Sequence, residues 1–212
     1  MERWLSRRVV IKLPQLLAGI ALLGFGVAMM AAGDLGFGPW SVLAEGVGHQ
    51  IGVALGTADI LLGIPILFAW FIVRERPGLG TLINVFGVGL VINAGTAALP
   101  DIDGLWLRTA MTVGGVVVIG TGVALYLAAD LGPGPRDGLM TGLHRRLGWS
   151  IRRVRTTIEV LVLVLGFVLG GTVGLGTVLM AFGVGAVIQA GLTVFDRDGR
   201  IMQQRAAATS PP

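Results

Sequence analysis

Cysteine is absent from the sequence, which excludes disulfides, thiolate nucleophiles and thiolate metal ligands in this chain. Charge is scarce as well: 13% of the residues are Asp, Glu, Lys or Arg, against roughly 25% in a soluble domain. The period-two alternation of outer-membrane strands is missing too, which excludes a β-barrel reading. What fills the chain is apolar, with 54% hydrophobic residues and a mean hydropathy of +0.82.

Apolar runs over about residues 9–31, 53–73, 79–99, 105–129, 156–172 and 174–195 approach or exceed the ~20 residues that cross a ~30 Å hydrocarbon core. The fifth is the shortest and needs Thr156 and its flanks to reach across. The expected fold is an all-α polytopic membrane protein with six transmembrane helices. Residues 1–8 are read as a cytoplasmic N-terminal segment, 9–196 as a single transmembrane domain, and 197–212 as a disordered cytoplasmic tail. The basic lead-in MERWLSRR has the look of a signal peptide. The run behind it continues past signal length into a motif that recurs, so it is kept as the first span. The 35 glycines suit helices that approach one another closely in lipid.

Basic residues give the orientation. Arg3, Arg7, Arg8 and Lys12 precede the first span, Arg74 and Arg76 follow the second, and Arg136, Arg145, Arg146, Arg152, Arg153 and Arg155 lie between the fourth and fifth. Arg197, Arg200 and Arg205 follow the last. With six spans these regions share one side, and Arg108, beside Asp101 and Asp103, lies near the other. The positive-inside rule then puts both termini in the cytoplasm. Short basic collars around apolar runs account for the pI near 10.9 and speak against a nucleic-acid partner.

The chain is internally duplicated. Residues 34–95 align with 130–191 at a constant offset of 96 without a gap. Asp34, Leu35, Gly36, Gly38 and Pro39 match Asp130, Leu131, Gly132, Gly134 and Pro135; GLGT at 78–81 matches 174–177; FGVG at 86–89 matches 182–185; VINAG at 91–95 is answered by VIQAG at 187–191. The first repeat covers about 9–99 and the second about 105–195. Three spans per repeat is an odd number, so the copies are expected to cross the membrane in opposite senses, as in many secondary transporters.

Each DLGxGP segment ends one helix and begins another. Glycine permits the backbone angles of the break, and Pro39 or Pro135 suits the first turn of a new helix. Short helices are expected from Pro39 to about Gly48 and from Pro135 to about Arg146, interfacial or re-entrant where protein or water satisfies their backbone. Asp34 and Asp130 are read first as turn-formers that accept from backbone amides. The functional alternative is that they bind a cation or sense protons, while the helix N-termini at Pro39 and Pro135 receive an anion. No lysine followed by Ser or Thr closes the motif, so it is not a phosphate loop.

Asn84, Asn93, Glu159 and Gln189 are the polar groups that a bilayer penalises most. Asn84 and Asn93 are candidates for a cavity lining, against the plainer reading of helix packing through Gly80, Gly87, Gly176 and Gly183. Glu159 stands four residues after Arg155, which suits an i,i+4 pair; a proton or cation role is the alternative. Asp59 aligns with Arg155 rather than Glu159, which weakens a symmetric-carboxylate mechanism. Ser41, Arg136 and Asp137, which differ between the two short helices, complete the candidates for a solute or ion path. His49 and His144 lack metal-ligand spacing, and no Ser, His and acid arrangement is visible. No metal, cofactor or enzymatic activity is expected. Trp4, Trp40, Trp70, Trp106 and Trp149 stand near proposed span ends and read as interface anchors.

The paired DLGxGP loops, the two GLGT turns and the FGVG runs resemble the bacterial YczE/YyaS/YitT group of integral membrane proteins, over about residues 9–196. The resemblance implies a multi-pass plasma-membrane protein and supplies no substrate. Architecture favours a small secondary transporter or permease for a small polar or ionic solute, with its site at the repeat interface. The alternative is a non-transporting scaffold or accessory subunit. The glycine-rich faces suit packing within one chain or a homodimer equally well.

Overall fold

A computed structural model describes residues 7–196, 199 and 201. The remainder of the proposed tail and residues 1–6 lie outside the described residues. Over the described residues eight helices follow in order: α1 Arg7–Gly33, α2 Pro39–Ile51, α3 Leu55–Val73, α4 Leu79–Ala98, α5 Leu105–Ala129, α6 Pro135–Leu147, α7 Ile151–Val168 and α8 Leu175–Phe195. Long, short, long, long occurs twice. Among the described residues, five helices, α1, α3, α4, α5 and α8, are long and apolar enough to cross a membrane. The protein is thus an all-α multi-pass membrane protein. The expected run at 156–172 differs most: α7 starts five residues earlier, stops at Val168 and carries Arg152, Arg153, Arg155 and Glu159 in its first half.

The helix ends follow from local chemistry. Asp34 and Asp130 stop α1 and α5 with φ of 48° and 53°, in the left-handed region that Asp tolerates better than most residues. Gly36 continues the first break at φ 94° and Gly132 the second at 127°, angles that suit only glycine. Pro39 and Pro135 then occupy the first turn of α2 and α6. Both short helices end at a left-handed glycine, Gly52 or Gly148.

The core forms around α1 and α5. Gly19 of α1 lies on Gly122 of α5, and Gly26 on Gly115. The numbers rise along one helix as they fall along the other, so the pair is antiparallel. A Cβ on Gly19 would stand 2.8 Å from the Gly122 carbonyl oxygen, and one on Gly115 2.7 Å from that of Gly26, so these backbones meet at a distance that only glycine allows. Leu16, Ile20, Val27, Met30, Val116 and Ile119 fill the seam. Outside α1 and α5, Gly24 packs on Val88 and Val91 of α4, and Gly120 packs on Val184 and Val187 of α8.

The DLG breaks are clasped across the duplication. The Gly176 amide, in the first turn of α8, donates to the Leu35 carbonyl at 2.8 Å, and the Gly80 amide, in the first turn of α4, donates to the Leu131 carbonyl at 2.9 Å. The threonine of each GLGT accepts from its own N-cap amide, Gly174 to Thr177 and Gly78 to Thr81, both at 3.1 Å. Helix N-termini carry unsatisfied amides, and each loop here satisfies one belonging to the other half. The outer faces are apolar: Phe71, Trp106, Val168 and Phe182 are among the most exposed side chains, which suits lipid rather than water. Trp70 departs from its expected role as an anchor. It is buried in the protein and its indole Nε1 donates to the Pro135 carbonyl at 2.8 Å.

Candidate functional site

Side chains from the first turns of the short helices α2 and α6 touch. Trp40 and Arg136 hold the same place in the two repeats, the residue after the helix-starting proline. The Arg136 guanidinium carbon lies 5.0 Å from the centroid of the Trp40 ring, within cation–π range. Arg136 also forms an ion pair with Asp59 in the second turn of α3. The Asp59 side chain is 10% exposed and that of Arg136 32%. The pair joins the two halves of the duplication, because α6 packs on α3 with its first turn in reach of Asp59.

Neighbouring groups fix this cluster. Pro135 is buried and its carbonyl receives the Trp70 indole. Asp137 accepts a hydrogen bond from the buried Tyr126 hydroxyl at 3.0 Å, which ties α6 to α5. Ser41 is half-buried in α2, its amide donating to the Gly38 carbonyl at 2.9 Å. In the middle of α2, Glu45 accepts from the Thr172 hydroxyl at 3.2 Å, and at its far end Gln50 donates to the Leu169 carbonyl at 3.0 Å. At the far end of α6, Arg145 pairs with Glu75. Each short helix is therefore anchored at its C-terminal end to the connection that follows α7 or α3 of the other half.

The other predicted residues are dispersed. Asp34 accepts from Arg108 at 2.6 Å rather than from the amides of its own turn, and Arg108 also donates to the Gly33 and Asp34 carbonyls. This pair borders an open cavity of about 450 Å³ with Asp101. Asp130 caps the other end of α5, 25 residues away from the Leu105 end, or about 37 Å at 1.5 Å per residue. The two acids therefore do not share a site. Asn93 accepts from the Gly56 amide and donates to the Thr57 hydroxyl, both at 2.9 Å; it closes α3 on α4 and satisfies an orphan amide of the α3 first turn. Asn84 is half-buried without a hydrogen bond among the described residues. Gln189 is exposed on α8, and Glu159 pairs with Arg155 at 2.8 Å as its spacing suggests.

Sequence reasoning named Arg136, Asp137 and Pro135 but not their partners Asp59, Trp40, Tyr126 and Trp70 as site residues. One signal was available: Asp59 is the only acidic residue in the 53–73 apolar run, and such a charge requires a partner in lipid. Chemically, the cluster offers a guanidinium fork with five donors of which Asp59 occupies only part, beside an aromatic face and two helix N-termini. Such a set receives a carboxylate or another oxyanion. Among the described residues, no group of three or more His, Asp or Glu side chains is placed to hold a metal ion.

Residues 10–192 match a family model described as "Family of unknown function (DUF6198)". An uncharacterized protein of Haemophilus influenzae is 39% identical over 182 residues, covering 86% of this chain and 84% of the relative. The uncharacterized membrane protein YczE of Bacillus subtilis is 31% identical over 187 residues, 87% of each chain. The uncharacterized protein YyaS of the same organism is 27% identical over 183 residues, 84% of this chain and 91% of its own. No solved structure matches. The chain belongs to the bacterial YczE/YyaS/DUF6198 family of membrane proteins.

Proposed function

We propose that this protein is a small secondary transporter or permease, non-enzymatic, built from two inverted-topology repeats of three spans each. In this reading α7 is the sixth span, both termini are cytoplasmic, and α2 and α6 are re-entrant helices entering from opposite faces. The antiparallel α1 and α5 and the reciprocal loop clasps support the inversion. The observation that carries the function is the meeting of Trp40 and Arg136: residues in equivalent places touch one another only near the axis relating two halves. A charge pair held at that axis is costly in a membrane protein unless it is used. Arg136 and the α2 and α6 N-termini all present positive potential, so the solute is a small polar molecule or ion, with anions favoured. Exchange between Asp59 and the solute for Arg136 couples binding to movement of α6 against α3.

The test is flux through proteoliposomes across a panel of small anions, cations and neutral solutes. Flux in the wild type that falls at least ~tenfold in Arg136→Gln, with both proteins folded, is expected if the guanidinium holds the solute through charge-assisted bonds. Single cysteines at Ser41 and Asp137 should react with an impermeant reagent from opposite sides. Absence of flux from folded wild-type protein overturns transport in favour of an accessory-subunit role, and labelling from one shared side overturns the inversion.

A further inference from the structure

The two halves close one pair of helices differently. In the first half, Gly56 of α3 lies against Gly89 and Asn93 of α4, and Gly63 against Val85. The corresponding residues of the second half are Arg152, Gly185, Gln189, Glu159 and Ala181. α7 packs on α2 and α6 but not comparably on α8. Gly185 has nothing within 4 Å of where a Cβ would be, and Gln189 is exposed. A seam that is sealed in one half is open in the other.

The α7 side of the seam is not apolar throughout. An open pocket of about 550 Å³ is lined by Trp149, Arg152, Arg153, Thr156 and Thr157, on the first turns of α7. The Arg152 and Arg153 side chains have no ion pair among the described residues, whereas the nearby Arg155 is taken by Glu159. The hydroxyls of Thr156 and Thr157 likewise have no hydrogen-bond partner among those residues. Two guanidinium groups, two hydroxyls and a helix N-terminus thus point to one chemistry, an oxyanion. Further along the same helix, Val160 and Val164 are exposed, as is Phe182 of α8. Trp149, 46% exposed, has the amphipathic ring that settles at headgroup depth.

We propose that the α7–α8 seam is a binding site for an anionic phospholipid, its phosphate held by Arg152 and Arg153 and one acyl chain lying where α4 would lie in the first half. A soluble phosphate accounts for the arginines but not for the exposed apolar residues further along the same helix, Val160 and Val164. A zwitterionic lipid covers the apolar residues but brings a cationic group to two unpaired arginines. Basic pockets between membrane helices recognise anionic headgroups in this way.

Native mass spectrometry of the purified full-length protein, in detergent containing phosphatidylglycerol or phosphatidylcholine, tests the site. Phosphatidylglycerol should stay bound at activation that strips phosphatidylcholine, and Arg152→Gln/Arg153→Gln should reduce its retention by about tenfold or more, as two arginines near a charged headgroup imply. Arg146→Gln, outside the pocket, should leave retention unchanged. If the double variant does not fold, each single arginine variant provides the same reading. Equal retention of the two lipids, an unaffected arginine variant, or displacement of phosphatidylglycerol by inorganic phosphate at equal concentration would overturn the assignment. The flux measurement is separate, so failure of either proposal leaves the other standing.

Discussion

The α3–α4 and α7–α8 pairs are equivalent in the duplication and unlike in outcome. α3 closes on α4 because small residues let two backbones approach and Asn93 bonds across the gap. α7 carries Arg152 and Glu159 at the places of Gly56 and Gly63, and long charged side chains hold a neighbour away. The backbone plan is shared, yet a few residues decide whether a helix pair is a sealed wall or an open one. Small-residue packing in lipid works only where no long side chain stands between the two backbones.

The sharpest way to break the comparison is to enlarge one residue at the same place in each half. Gly89→Leu drives a side chain into the α3 backbone and should cost about 3 kcal/mol or more, at the upper end of overpacking effects. Gly185→Leu meets open space and should change stability by less than about 0.5 kcal/mol, the ordinary surface range. Thermal unfolding in detergent, monitored by circular dichroism, separates the two; equal losses would mean that α7 and α8 pack in solution.

Charge pairs give a smaller contrast. Asp59→Asn leaves Arg136 without its counter-charge in a mostly buried place and should cost about 2 kcal/mol, below the 3–5 for a fully buried pair because Arg136 is partly exposed. Glu159→Gln removes a half-exposed pair and should cost under about 1 kcal/mol. Denaturation midpoints of the two variants check this, and a greater loss at Glu159 would contradict the burial described. Smallest is the amide comparison: Asn93→Ala removes two hydrogen bonds and should lose about 1–2 kcal/mol, while Gln189→Ala should stay within about 0.5. Hydrogen exchange at the Gly56 amide gives an independent reading, since only the Asn93 variant should accelerate it.

Much of this was legible in the residues. The 96-residue offset, the proline at the start of each short helix and the ends of α3, α4, α5 and α8 all rest on local chemistry, and local chemistry can be read from spacing. The contacts that join the halves were not legible. Asp59 aligns with Arg155 and Arg136 with Trp40, so the duplication itself gave no hint that Asp59 and Arg136 pair. Their contact depends on how deeply α6 enters, which is set by the fit of Gly138 and Gly142 against Trp70 and Val73. Trp70 was misread for the same reason: an amphipathic ring near a span end suits an interface, but a glycine opposite it and a carbonyl in reach suit burial equally well. Asp34 resembled a self-contained turn because Arg108, its partner, stands far along the chain.

The reciprocal clasps bear on how the protein is made. Ribosomes deliver α4 before Leu131 exists, so the Gly80 amide enters the membrane without its acceptor, and an unsatisfied amide in hydrocarbon is costly. The first half therefore leaves synthesis with its last helix incomplete, and the DLG break of the second half finishes it. Leu35 waits in the same way for Gly176. Maturation then closes in two steps, and in the second the final helix to emerge locks the first loop that was made.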